Sequence, residues 1–560
     1  MNKRVFQSGS KRSEKKASVA RRFAKDEGGA VFTLFVLIGL LMMFATTGLG
    51  VDIMKFERER ATMQATLDRA VLAAANLDQV DVDPKLVAEE YIKKSGLGDV
   101  NYDIEVIEGI GSRKVIASAD KTVTTNFMRF VYIDTLTASA TSTAEESVGS
   151  VEISLVLDMS GSMTRASATE GRSKIAVLRD AAKSFVDTMY EKENPDKISI
   201  SIIPYATQVN AGEDILGKFT NVTNEHNYSH CLNFSSSDFR QAALDPTASF
   251  DRTAHFDRYR TSRTQWEEPR YLTCPTRDGS EITAHTNDID KLHDRIDDLT
   301  AQGNTSIDIG VKWGMALLDP DFQDIINDLS TQRVSSSSTE TIVPATFGDR
   351  PKNYEDDVEK ILIVFTDGEN TSQYRLEEDL RDGNSDVWFN AGYTHWDGKV
   401  GEYSVRITEP GVEPPVYYWS RQQEYRNHRH GDQEDGDAIR LTYPELFNRA
   451  SLRWNAENNY RFDSNRINNW YYGAYNSIGS STKNIRTSDI CAAAKNKGVI
   501  VYGIAFEAPA VGVTTIEDCA SSPSTVYAVN SDGTLGSANL TLQQVFESIA
   551  ASIKQLKLTQ

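Results

Sequence analysis

Between Gly28 and Val51 the chain carries no charged residue, and AVFTLFVLIGLLMMFATTGLG is apolar almost throughout. A helix rising about 1.5 Å per residue crosses about 30 Å of hydrocarbon in roughly 20 residues, so this run predicts a transmembrane helix. It is longer than the apolar core of a secretory signal peptide, and Ala45-Thr46-Thr47 is a poor cleavage site. An uncleaved signal anchor is therefore expected. Beyond Asp52, KFERERATMQATLDRAVLAAANLD sets Met63, Leu67, Ala70, Val71 and Ala74 at helical spacing. The membrane helix is expected to continue into an amphipathic stalk. The alternative is a juxtamembrane helix packed on its own domain.

From Asp99 to Glu145 the period shortens. DIEVIEG, KVIASADKTVTTNFMRF and TLTASATST alternate apolar and polar residues and are rich in Val, Ile and Thr. They read as strands of a small sheet, with a hairpin turn at Gly109–Ser112. Residues 55–146 thus read as a small α+β module, within a segment 52–147, and 147–150 as a short hinge.

From Val151 strands and helices alternate. VEISLVL, DKISISIIPYAT, EKILIVFTDGEN and GVIVYGIAF read as strands. SKIAVLRDAAKSFVDTMY, DIDKLHDRIDDLT, TSIDIGVKWGMALLD, DICAAAKN and LTLQQVFESIAASIKQL read as helices. The alternation predicts an α/β fold over 151–557: a doubly wound, mostly parallel sheet with helices on both faces. Two stretches break it, at about 211–286 and 371–483, and read as insertions. The second holds Trp388, Trp396, Trp419, Trp454 and Trp470. These aromatics suit either a recognition surface or the insertion's own core.

At 560 residues the chain exceeds one ordinary core, and its 39% hydrophobic and 25% charged residues are those of a folded protein. The net charge of -20 disfavours a nucleic-acid partner, which needs a basic face. Met1 to Glu27 nevertheless holds nine basic residues against three acidic ones. By the positive-inside rule this head stays in the cytoplasm, and everything after Val51 is exported. Cys231, Cys274, Cys491 and Cys519 form no C-x-x-C pair. Disulfides are expected on the exported side, with three connectivities open. Pairing within local stretches favours Cys231–Cys274 and Cys491–Cys519, against four reduced buried thiols.

The chemistry concentrates at strand ends. Asp158-Met159-Ser160-Gly161-Ser162 follows VEISLVL directly, where an open α/β sheet presents ligands. One carboxylate and two hydroxyls are hard oxygen donors suited to Mg²⁺ or Mn²⁺. AQGNTSIDIG offers Thr305 before a helix, and KILIVFTDGEN offers Asp367 after a strand. Alone, the D-x-S-x-S string is weak; three loops supplying oxygens at one sheet edge are not. Asp158→Ala is expected to remove metal-dependent binding and leave the fold intact, the loop being taken as surface. Glu369 and Asp308 lie close in sequence to the metal loops. His428-Arg429-His430 reads as a solvated loop rather than a metal site.

Asp158, Ser160, Ser162, Thr305 and Asp367 together resemble the metal-ion-dependent adhesion site of von Willebrand factor type A domains. Asn304 stands where a second glycine is common. The resemblance implies a metal that completes its shell with an acidic residue from a protein partner. RRFAKDEGGAVFTLFVLIGL with GLGVDIMKFERERATMQATLDRAVLAAA is similar to the TadE/TadG-like segment of Flp (tight adherence) pilus-assembly proteins. ICAAAKNKGVIVYGIAF and Cys519 resemble the C-terminal end of TadG-like chains. Leu34 and Thr33 stand five residues after Gly29 and Gly28, where prepilin processing would need Glu. The resemblance implies an inner-membrane, single-pass pilus-assembly protein with a periplasmic domain and envelope partners. A surface adhesin or receptor using the same metal site, and a metal-dependent hydrolase, are the alternatives. No His or Glu is placed by motif as a general base, so binding rather than catalysis is expected.

Overall fold

The structure is a computed structural model describing residues 28–76, 83–97, 100–109, 112–147, 150–191, 195–258, 267–356, 358–529 and 541–556. The basic head 1–27, the hairpin tip 110–111 and residues 148–149 of the expected hinge lie outside the described residues. The described residues through Ser147 form one compact unit, and those from Ser150 to Leu556 another.

In the first unit the apolar run and the amphipathic stretch make one helix, α1 (Gly28–Ala75), 48 residues long and free of proline. Side chains from Phe32 to Thr47 are all exposed, as a buried core helix of this composition would not be. Among the described residues this is the one helix long and apolar enough to cross a membrane. Its second half buries Met63, Leu67, Ala70, Val71 and Ala74. The anticipated face is present, but the module's own sheet covers it, so α1 is not a free stalk.

That sheet is antiparallel, with β1 (Asn101–Gly109), β2 (Ser112–Thr124) and β3 (Thr135–Ser147) in sequence order. Val115, Ala117, Ala119, Ala138, Ala140 and Ala144 pack in the core with the helix. Alternation places these residues on one face of the sheet, and the many alanines let the helix lie close. Polar ties hold the register: Lys121 pairs with Glu59 at 2.7 Å, and Ser142 donates to Asp68 at 2.6 Å. A short helix, α2 (Pro84–Ile92), starts at Asp83, whose carboxylate accepts the Lys85 N–H, and adds Ala88 and Ile92 to this core. NFMRF, expected to continue a strand, lies beyond Thr124, in the turn between β2 and β3.

The second unit is built on β4 (Ser150–Asp158), β5 (Ile198–Tyr205), β6 (Thr283–Thr286), β7 (Val358–Thr366), β8 (Ile500–Phe506) and β9 (Val526–Val529). They form one sheet in the order β9-β8-β7-β4-β5-β6, and every pair is parallel except β5 with β6. β4 and β5 are buried along nearly their whole length, hence their near-continuous apolar sequences. Around the sheet lie α3 (Lys174–Tyr190), α4 (Ile289–Asp297), α5 (Ile307–Ala316), α6 (Ser480–Asn496), α7 (Ala510–Cys519) and α8 (Leu542–Leu556). They fall into two sets. Phe185 of α3 and Phe365 of β7 both meet Phe546 of α8. Val364, the preceding residue of β7, instead joins a core containing Trp313 of α5 and Ile490 of α6. Successive strand residues point to opposite faces, so the two sets flank the sheet.

The stretch at 211–286 is not wholly an insertion, since its last residues are the edge strand β6. The stretch at 371–483 is folded around five antiparallel strands: Asn384–Thr394, Val400–Arg406, Tyr417–Trp419, Glu424–Arg426 and Ala438–Thr442. Trp388, Trp419 and Trp454 are buried and Trp470 stacks on Tyr460, whereas Trp396 is 89% exposed. These aromatics are thus chiefly the insertion's own core. Both stretches share that core, because Ala254 and Phe256 pack with Val387, Tyr403 and Trp454. Glu267 also accepts the Tyr403 hydroxyl and pairs with Arg421.

The disulfides are Cys231–Cys274 and Cys491–Cys519, the locally paired connectivity. The histidine pair departs from expectation. His430 is buried between Tyr393 and Trp419 and bonds Asn390, while half-buried His428 bonds Glu434.

Candidate metal centre

β4 and β7 are adjacent and parallel, with Leu157 opposite Phe365. The next residues, Asp158 and Thr366, therefore leave the sheet side by side, and Asp367 follows one residue on. Chain order reverses here, since β4 leads to β5 on one side while β7 lies on the other. This is the switch point at which open α/β sheets bind ligands.

Three loops close over this edge. The Met159 N–H donates to Tyr205 O, the Gly161 N–H to Gly303 O, and the Gln302 N–H to Met159 O. The first ties the D-x-S-x-S loop to the end of β5, and the other two pin it to the loop carrying Thr305. Asn304 gains a use that glycine would lack, because its side-chain amide donates to Ser372 O at 2.6 Å.

The oxygens converge. Ser160 Oγ and Ser162 Oγ are 3.0 Å apart, and Ser162 Oγ donates to Asp367 Oδ1 at 2.5 Å. A Cβ placed on Gly368 would lie 3.6 Å from Ser162 Oγ and 3.7 Å from Thr305 Oγ1, so both hydroxyls border the same small space. Ser160, Ser162, Thr305 and Asp367, four of the five residues singled out from sequence, thus border one small space. Asp158 is turned inward: Oδ1 accepts the Ser160 N–H at 2.7 Å and Oδ2 accepts the Thr366 hydroxyl at 2.8 Å. It is fully buried. The loop is therefore not simply surface, and Asp158→Ala would strip two buried donors of their acceptor and cost stability as well. Burial, and then the charge of Asp367, push the Asp158 carboxyl up to about 7.

Charges around the cluster do not balance. Asp367 Oδ2 faces Lys174 Nζ at 3.1 Å without an aligned hydrogen bond. The same ammonium lies 3.6 Å from Glu507 Oε2. Asp367 and Glu507 are two carboxylates facing one ammonium, and the buried Asp158 carboxyl lies close enough to Asp367 to feel its charge. A divalent cation fits that deficit, and two carboxylates with three hydroxyls form the hard-oxygen set such an ion takes. Among the described residues no three of His, Cys, Asp and Glu group closely enough to hold a metal by themselves. The candidate therefore depends on its hydroxyls.

Residues missed in the sequence hold this arrangement. Lys174 opens α3 and looks there like an ordinary solvated cation. Glu507, just past β8, accepts the Ser167 hydroxyl at 2.7 Å and the Ala168 and Thr169 N–H groups. These bonds outweigh burial and keep its carboxyl below the usual range. Lys483 of α6 is completely buried and donates to Thr305 O, Ser306 Oγ and Thr371 O. Burial brings it down to about 8 although Asp308 opposes the shift. Asp308 does not join the cluster; it faces Lys483 and Arg486, each at 3.9 Å. Glu369 is half-buried beside the loop.

No curated protein matches the chain. Similar solved structures include the vWF domain of the type V pili tip protein Mfa5 from Porphyromonas gingivalis, at 12% identity and a TM-score of 0.30, covering 72% of this chain and 95% of that one. The pilus adhesin SpaC from Lactobacillus rhamnosus GG is 11% identical with a TM-score of 0.29, covering 81% of this chain and 34% of its own. The PilB minor pilin from Streptococcus sanguinis is 13% identical with a TM-score of 0.28, covering 82% and 79%. At the N-terminal end, residues 28–77, which take in all of α1, match the family model described as "Putative Flp pilus-assembly TadE/G-like".

Proposed function

We propose that the chain is a membrane-anchored protein of Flp pilus assembly that binds partner proteins through a divalent metal at the β4–β7 edge. The family match over 28–77 and the exposed apolar half of α1 support the pilus setting and the anchor. On this reading α1 crosses the inner membrane with the basic head in the cytoplasm. Both disulfides suit the oxidising periplasm for the second unit. That unit is read as a von Willebrand factor type A domain carrying the two insertions.

The observation that carries the metal reading is the position of Ser162 Oγ, held between Ser160 Oγ and Asp367 Oδ1 and sharing its space with Thr305. Ser160, Ser162 and Thr305 would hold Mg²⁺ or Mn²⁺ through hydroxyls, while Asp158 and Asp367 supply negative charge. When bound, the ion supplies a Lewis-acidic position for a partner's carboxylate. The chain's own residues do the positioning. Thr366 and the Ser160 N–H fix Asp158, Lys483 ties the Thr305 loop to Thr371, and Glu507 anchors the segment at 167–169. The role is binding, not catalysis.

Calorimetric titration of the full chain in lipid nanodiscs with Mg²⁺ and Mn²⁺ tests this, beside Ser162→Ala and the isosteric Asp158→Asn. Saturable binding lost in both variants is expected. A wild-type chain that takes up neither ion, alone or with an acidic peptide present, would refute the metal mechanism and leave the anchored pilus role standing.

A further inference from the structure

The turn joining β2 to β3 is apolar where a water-facing hairpin would be polar. Residues 127–133 read FMRFVYI. Phe130 is 80% exposed, Val131 56%, Tyr132 96% and Ile133 43%. Four consecutive exposed apolar side chains are a liability on a soluble surface unless something covers them. Tyr132 also sits at φ +66°, a region that side chains other than glycine seldom occupy.

The turn is held in place. The Asp52 carboxylate accepts the N–H groups of Asn126, Phe127 and Met128 at 2.9, 2.7 and 2.7 Å. The Thr125 hydroxyl donates to Ile133 O, and the Ile133 N–H to Met128 O. Asp52 is the first charged residue after the apolar run of α1. One turn earlier, Phe127 lies against Gly48, where a Cβ would come within 2.5 Å of Phe127 Cδ1. The ring therefore packs directly on the helix backbone.

This contact sets the turn beside the last residues of the apolar run. The 24 residues from Gly28 to Val51 make about 36 Å of helix against about 30 Å of hydrocarbon. The surplus of about 6 Å is one helical turn. Gly48 to Val51, and the hairpin tip packed beside it, then fall in the interfacial layer, where aromatic rings and arginine gather. The tip supplies Phe127, Arg129, Phe130 and Tyr132 and no acidic residue before Asp134.

We propose that the β2–β3 tip is a second membrane contact, entering the interfacial layer of the leaflet from which α1 emerges through Phe127, Phe130, Val131 and Tyr132. The proposal rests on the reading of α1 as a membrane span. The occupant of the patch is the lipid surface itself.

The test uses the full chain in nanodiscs containing a phospholipid with a photoactivatable acyl chain, followed by peptide mapping and by limited trypsin digestion at Arg129. Label is expected on both 28–51 and 127–133, with Arg129 protected. In the Phe130→Ser/Val131→Ser/Tyr132→Ser variant the span should remain labelled while Arg129 becomes cleavable. A labelled span with an unlabelled wild-type tip overturns the proposal, whether Arg129 is cut or is shielded by a second copy. An unlabelled span overturns it differently, by removing the membrane reading of α1.

Discussion

Gly512→Ala probes how tightly the proposed metal loop is held from behind. Gly512 lies in the first turn of α7, and a Cβ there would meet Gly368 O at 2.1 Å and Gly368 C at 3.0 Å. A carbon–oxygen contact is comfortable near 3.3 Å, so the Gly368 carbonyl must retreat by about 1 Å. It is backbone and cannot rotate away like a side-chain tip. Helix propensity alone favours alanine by about 1 kcal/mol. Overpacking costs about 1–3 kcal/mol, and a hard backbone contact belongs at the upper end. Net destabilisation of about 2 kcal/mol follows. Gly368 is joined to Asp367 and its N–H donates to Thr366 Oγ1, the same hydroxyl that holds Asp158. Metal binding should therefore weaken about tenfold, since sites tolerate displacements of only about 0.5 Å. Urea unfolding with and without Mg²⁺ reads both effects. Magnesium at 100 times the wild-type dissociation constant stabilises by about 2.7 kcal/mol, and a tenfold loss cuts this to about 1.4 kcal/mol. Val511→Ala, at a half-exposed neighbour on the same helix, is the control. An unchanged urea midpoint would refute the packing argument. A lower midpoint with an undiminished magnesium increment would refute the coupling of α7 to the proposed metal loop.

Other outcomes are expected. Lys174→Met leaves Asp367 and Glu507 without their shared ammonium, so the metal-free chain should lose about 3 kcal/mol or more while the magnesium increment grows; a smaller increment would contradict the charge argument. Removing the disulfides across separations of 28 and 43 residues should cost about 3.6 and 4.0 kcal/mol by loop entropy. Denaturation of Cys→Ser pairs measures this, and equal stability with and without either bridge would contradict it. Acid should destabilise through His226, His255 and His285, which burial pulls down to about 4, 4 and 3. Their neutral forms favour the fold fully above the unfolded value of about 6.5, and that stability is lost as pH falls towards the folded values. Between pH 7 and 5 the loss is about 1.8 kcal/mol per histidine, partly opposed by Asp158 and Asp308, whose carboxyls burial pushes up. A His285→Gln chain should show a shallower dependence in pH-resolved urea titrations; an identical slope would show that this histidine does not titrate on unfolding.

What could be read from sequence depended on how local its cause was. Asp158 and Asp367 each end an apolar strand, and Thr305 precedes a periodic helix, so local pattern sufficed to group them. The buttresses had no such mark. Lys483 lies 178 residues from the carbonyl of Thr305 that it bonds, and the burial of Asp158 comes from Thr366 and from neighbouring loops closing over it. The aromatic insertion resisted reading because two of its strands, Tyr417–Trp419 and Glu424–Arg426, are only three residues long and show no period. β6, written TAHT, is buried through its neighbours rather than its composition. The apolar turn at NFMRF imitated a strand because its hydrophobicity serves no strand at all.

The continuity of α1 has a mechanical consequence. No proline marks a hinge between the exposed apolar half and the half fastened to the sheet. With α1 placed across a bilayer as proposed, the 24 residues after Val51 act as a lever about 36 Å long, so each 10° of lean sweeps the far end by about 6 Å. On the proposed membrane reading, the thickness and lateral pressure of the surrounding lipid thereby become settings for the direction in which the small α+β module points.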